Sequence, residues 1–110
     1  MIDEQLPKSQ WQSYFDMVSK YAAGREIKLE VAGLDIGDQI EEEWAPLKGL
    51  SYDPRDDRFY VFVDKITHHI PHPKKIYVQT DGNWIDSIEV IDEEGREQII
   101  MLKDPLMLDH

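Results

Sequence analysis

The chain contains no cysteine, which excludes a disulfide framework, a thiolate metal site and a cysteine nucleophile. It would fold alike in reducing and oxidising surroundings. Basic residues are scarce: 12 Lys and Arg stand against 23 Asp and Glu, for a formal net charge of −11. That balance repels phosphate backbones and anionic lipid, so direct nucleic-acid binding and membrane association are not expected. No apolar run approaches the length of a membrane span, and the N-terminal MIDEQLPKSQ has neither a basic start nor an apolar core, so it does not read as a signal peptide. Cytoplasm is the expected compartment. Also missing are a glycine-rich phosphate loop, an HEXXH zinc motif and a serine flanked by the glycines of a hydrolase elbow. No segment repeats.

What is present suits one domain. The 110 residues, 41% of them hydrophobic, are sufficient for a single core and too few for two. Trp11, Tyr14, Phe15, Val18, Tyr21 and Ala22 recur at spacings of three and four and predict an amphipathic helix from about Ser9 to Ala23. Ser9 with Gln12 reads as a capping box behind Pro7, and Gly24 as the stop. After Gly24 the period changes to two. In REIKLEVAG, Ile27, Leu29 and Val31 alternate with Glu26, Lys28 and Glu30, the pattern of a strand with one wet face. DQIEEEW fits a strand or a short helix, and the conformation of 35–43 is left open.

GLSYD and RFYVFVD flank the turn DPRDD, KKIYVQT and WIDSIEVID flank DGN, and IEVID and EQIIML close on EEG. Asp and Pro start type I turns, while Asp-Gly and Glu-Gly supply positive φ at hairpin tips. Such short links join antiparallel neighbours. The expected fold is therefore α+β: an N-terminal helix at about 9–23 packed on a bent antiparallel sheet of five to six strands over about 26–102, with a tail at 103–110. One helix covers only part of such a sheet, so the sheet is expected to bend toward a small open barrel with the topology of the Sm and SH3-like barrels.

The polar candidates are few. THHIPHP, residues 67–73, gathers His68, His69 and His72 on a segment read as a proline-stiffened loop. Its spacing matches no metal motif, and zinc would need further ligands such as Asp64. A partner contact or a proton-sensitive patch fits it as well. DPRDD brings Asp53, Asp56 and Asp57 together, but Arg55 stands where a calcium loop needs Asp or Asn, and turn formation explains the acids. EEEW and DEEG read as solvated faces. No cofactor and no catalytic residue is indicated.

WQSYFD at 11–16, PLKGLSYDPRDD at 46–57, DKITHHI at 64–70 and IEVIDEEGREQIIML at 88–102 together resemble a small bacterial family known only as a domain of unknown function. The resemblance runs along nearly the whole chain and implies no activity, cofactor or catalytic residue. It points to the YDPRDD turn and the DKITHHI segment as shared polar features. These flank RFYVFVD from its two ends, so they are not expected to form one site. A site built on His69 would draw on the DGNW hairpin or the strand of Trp44.

The function expected from these observations is a non-enzymatic binding module with an acidic surface. It would present that surface, and a strand edge, to a protein partner or to a second copy of itself as a homodimer. The alternative is a small-ligand or metal-dependent protein using His68, His69 and His72. An acidic mimic of nucleic acid is a further class, against which the acids are dispersed along the chain.

Overall fold

The computed structural model describes residues 2–33 and 37–107. The helix, α1, spans Trp11–Ala22 and follows a single 3-10 turn at Lys8–Gln10. It begins two residues later than the pattern implied, and the capping box does not form: Gln10 occupies the cap position and no side chain caps it. Ser9 is instead taken up in the 3-10 turn. Trp11, Phe15, Val18 and Ala22 are buried, Tyr14 is half-buried, and Tyr21 lies at the exposed margin of the stripe. Gly24 ends the helix with φ +87°, a conformation that costs other residues, and its N–H donates to Leu47 O at 2.7 Å.

Eight strands follow the order β1(Ile2–Gln5), β2(Glu26–Gly33), β3(Gly37–Asp53), β4(Arg58–Val63), β5(Ile66–Pro71), β6(Lys75–Asp81), β7(Trp84–Ile91) and β8(Glu97–Met107). They form one antiparallel sheet in the order β1-β6-β7-β8-β2-β3-β4-β5 among the described residues. The α+β class stands, but eight strands replace the five or six expected, and the sheet does not close: β1 and β5 lie at its two edges. The three hairpins read from turn chemistry are present in register, Asp53↔Arg58, Asp81↔Trp84 and Ile91↔Glu97. β8 continues past Leu102 to Met107, where a tail had been expected, because Trp84↔Met107 and Ile85↔Leu106 extend its ladder with β7. DQIEEEW is strand, the first half of β3.

β3 is long enough to serve two neighbours in turn. Its first half pairs with β2 and its second with β4, and between them Trp44 at φ 51° and slips in both ladders bend it. Past Pro46, β2 has ended and α1 takes its place beside β3. There Ser19 Oγ donates to Leu50 O and accepts the Leu50 N–H at 2.7 Å, so one hydroxyl occupies the place of a strand partner. The helix thereby lays Phe15 against Phe59, with centroids 4.8 Å apart and edge-on, and Trp11 against Tyr52 at 5.1 Å. Leu6, Ile27, Val61, Ile76, Ile88 and Ile100 belong to the same buried cluster. The hairpin β4–β5 adds Phe59, Val61, Val63 and Ile70 to this core, and no strand lies beyond β5 among the described residues.

Candidate functional site

All six residues singled out as binding candidates fall on the β4–β5 hairpin or on the turn that feeds it, and the geometry corrects two expectations about them. THHIP is not a loop: Thr67, His68, His69 and Ile70 pair in β5 with Phe62, Val61, Tyr60 and Phe59 of β4. A strand was not apparent there because Pro71 and Pro73 suggest a break, yet a proline at the end of an edge strand removes no donor that the ladder requires. Second, the DPRDD turn and the histidine segment do meet. β5 runs back antiparallel to β4, so His72 returns to Asp57, and the His72 N–H donates to Asp57 O at 2.8 Å.

That end of the hairpin is tied by side chains. Asp57 carries φ 50° and His72 φ 50°, values that Asp and His tolerate better than most residues. His72 Nδ1 lies 3.1 Å from one Asp57 oxygen; the Tyr52 hydroxyl donates to the other at 2.7 Å, and Lys8 Nζ approaches that same oxygen at 3.6 Å. Hydrogen bonds from Tyr52 and then His72 hold the Asp57 carboxyl below the usual carboxylate range. Burial, followed by the bond to Asp57 and the charges of Asp57 and Asp53, pushes Tyr52 up to about 12. Asp53 serves the turn itself, accepting Arg55 N–H at 2.9 Å and pairing with the Arg55 guanidinium, which lowers its carboxyl. Asp56 accepts the Tyr60 hydroxyl at 3.1 Å.

The three imidazoles diverge. His68 and His69 are consecutive in a strand and so point to opposite faces. His68 Nε2, not His69, reaches the strand that carries Trp44, lying 3.2 Å from Glu42 Oε1. His69 instead lies edge-on to Tyr60 at 5.1 Å, on the outer face, where Tyr60 stacks on Phe62 with centroids 5.9 Å apart. The DGNW hairpin belongs to β6 and β7, and neither strand adjoins β5. Among the described residues, no three His, Asp or Glu side chains converge as ion ligands.

The polar groups therefore fix the hairpin at its Asp57–His72 end and along one face, and no strand lies beyond β5 among the described residues. Glu42, Tyr52, Tyr60, Phe62 and Thr67 join the site although the sequence did not single them out. Glu42 was hidden in a run of like acids, and Tyr52 had a signal only in its position next to the turn.

A family model matches residues 2–110 of this chain. The chain belongs to the DUF5335 family, a family of unknown function. It is similar to an uncharacterized protein of Aquifex aeolicus (strain VF5), 46% identical over 109 residues that cover 98% of each chain. The resemblance carried by the aromatic helix, the YDPRDD centre and the closing hairpin was thus to the right kind of family. No solved structure matches the chain. Among the described residues no helix is long and apolar enough to cross a membrane.

Proposed function

We propose that this chain is a non-enzymatic interaction module that takes an extended segment of a protein partner along β5. The observation that carries the reading is the contrast between the two edges of the sheet. β1 is four residues long and holds Asp3 and Glu4, the short and charged kind of edge that resists added strands. β5 has six residues, ITHHIP, and no carboxylate in a chain of net charge −11.

Ladder geometry supports the same reading. The two-residue turn Asp64–Lys65 closes on the pair Val63↔Ile66, and the His72 N–H bonds to Asp57. By the alternation of an antiparallel ladder, Ile66, His68 and Ile70 exchange their bonds with β4, while Thr67 and His69 aim N–H and C=O outward. The same alternation across β3 aims Leu50 at α1, where Ser19 is found bonded to it. Beside the free edge, Phe62 is 36% and Ile66 54% exposed, apolar surface against which alternate side chains of an added strand would lie.

Selection of random extended peptides against the protein tests this. Thr67→Pro removes an outward N–H and leaves the β4 ladder whole, so the selected peptides should bind the variant at least about tenfold more weakly, the size of one lost main-chain hydrogen bond. They should also shift the Thr67 and His69 amide resonances. Peptides that bind both forms equally, or leave the Thr67 and His69 resonances unmoved, would overturn the reading.

A further inference from the structure

We infer that a strand partner of β5 is β5 of a second copy of this chain, in a register centred on His68; this rests on the strand-edge reading above. Two antiparallel copies related by a two-fold axis at His68 set Thr67 opposite His69 of the second copy, so the outward N–H and C=O of both residues find partners at once. On the core-side face the same register sets Ile66, which is 54% exposed, opposite Ile70, which is fully buried. Apolar contact would continue across the junction on either side of the central His68 pair, which stands on this same face with Glu42 beside it. At the ends, the Asp64–Lys65 tip of one copy lies beside the Asp57–His72 end of the other, one acid and one base on each side.

The neighbouring registers pair these residues less well. Centring on Thr67 sets Asp64 opposite Ile70 on the apolar face. Centring on His69 sets Thr67 opposite Pro71, which has no N–H to give. Charge also favours a second copy at this place. A chain of net charge −11 repels itself over most of its surface. β5 has no carboxylate, and Glu42, which approaches its core-side face, already lies 3.2 Å from His68. The long-range repulsion between copies is screened by salt, so this association strengthens as salt is raised, whereas binding of a basic partner would weaken.

The natural chain has no cysteine, so each introduced thiol is unique. A residue on the two-fold at a non-hydrogen-bonded position meets its mate at a Cα separation of about 4.5 Å, within disulfide range. Residues offset by two positions stand about 7–8 Å apart, outside it. Under mild oxidation His68→Cys should therefore cross-link roughly a hundredfold faster than Asn83→Cys, an exposed hairpin-tip control. A thiol held in register experiences a roughly millimolar effective concentration, against about ten micromolar for free chains in solution, a ratio of roughly a hundred. Thr67→Cys and His69→Cys should react at the control rate.

Sedimentation of the natural chain should show a dimer favoured by salt, and Thr67→Pro a monomer with an unchanged circular dichroism spectrum. Fast cross-linking at Thr67→Cys or His69→Cys instead would overturn the register. A natural chain that sediments as a monomer, with all thiols at the control rate, would overturn self-pairing altogether. The peptide selection would then still decide strand capture on its own.

Discussion

Ser19 shows how much one side chain can do at the place where a sheet changes neighbours. Its hydroxyl satisfies both the N–H and the C=O of Leu50 at a point where β3 has lost β2. Ser19→Ala would leave both groups without a partner in a half-buried seam, and should lower stability by about 1–3 kcal/mol in denaturant titration. The exposed Ser13→Ala should stay within about 0.5 kcal/mol. The Tyr52–Asp57 contact is measurable by its titration. Because the folded state lowers the Asp57 carboxyl, its contribution is present above about pH 4 and is lost as pH falls through the lowered value. Because Tyr52 is pushed up to about 12, its contribution is present below about pH 10 and is lost as pH climbs through 12. Asp57→Asn should bring the Tyr52 phenolate transition, read by ultraviolet absorbance, part of the way back toward 10, burial accounting for what remains. A Tyr52 titration that does not move would show burial alone to be the cause.

At the level of elements, what the sequence disclosed followed periodicity and turn chemistry. The helix could be read from Trp11, Phe15, Val18 and Ala22, and three hairpins from Asp-Pro, Asp-Gly and Glu-Gly, because those signals are local. β1 could not, since IDEQ has one apolar residue and becomes a strand only by pairing Gln5 with Tyr77 and Glu4 with Val78. β5 could not either, since two prolines and three histidines conceal a strand whose alternation is imposed by β4. The meeting of Asp57 with His72 depends on that missed strand, so the site was legible as residues and not as an arrangement. The edge assignment makes its own prediction for amide exchange. In solution dilute enough to keep the chain monomeric, the His68 and Ile70 amides should exchange slowly and those of Thr67 and His69 fast, a period of two along one strand. Uniform protection would mean that some other part of the chain covers β5.

The whole molecule must hold its net charge of −11 together with a core served by one helix. Self-repulsion opposes compaction, so Thr67→Pro, used to remove self-association, should melt higher as salt is raised at neutral pH. Acid should act in two opposite stages. Glu89 on β7 is raised by burial and by the neighbouring charges of Glu97 and Asp3. A raised carboxyl favours the folded state once protonated, so its stabilising effect is full below about pH 4 and is lost as pH rises through the raised folded value. Lowering pH from neutrality through the raised Glu89 value should therefore raise the melting temperature, as Glu89 takes up a proton and repulsion declines. Below about pH 4 it should fall, because Asp57 then loses the charge that Tyr52 and His72 hold in place. Glu89→Gln separates the stages, since it carries no charge at any pH. Its melting temperature should exceed the parent's at neutral pH, the gain between neutral and mild acid should shrink, and the acid fall should persist. If Glu89→Gln instead leaves the whole profile unchanged, general repulsion among the other carboxylates governs the acid response and the β7 carboxylate has no special part in it.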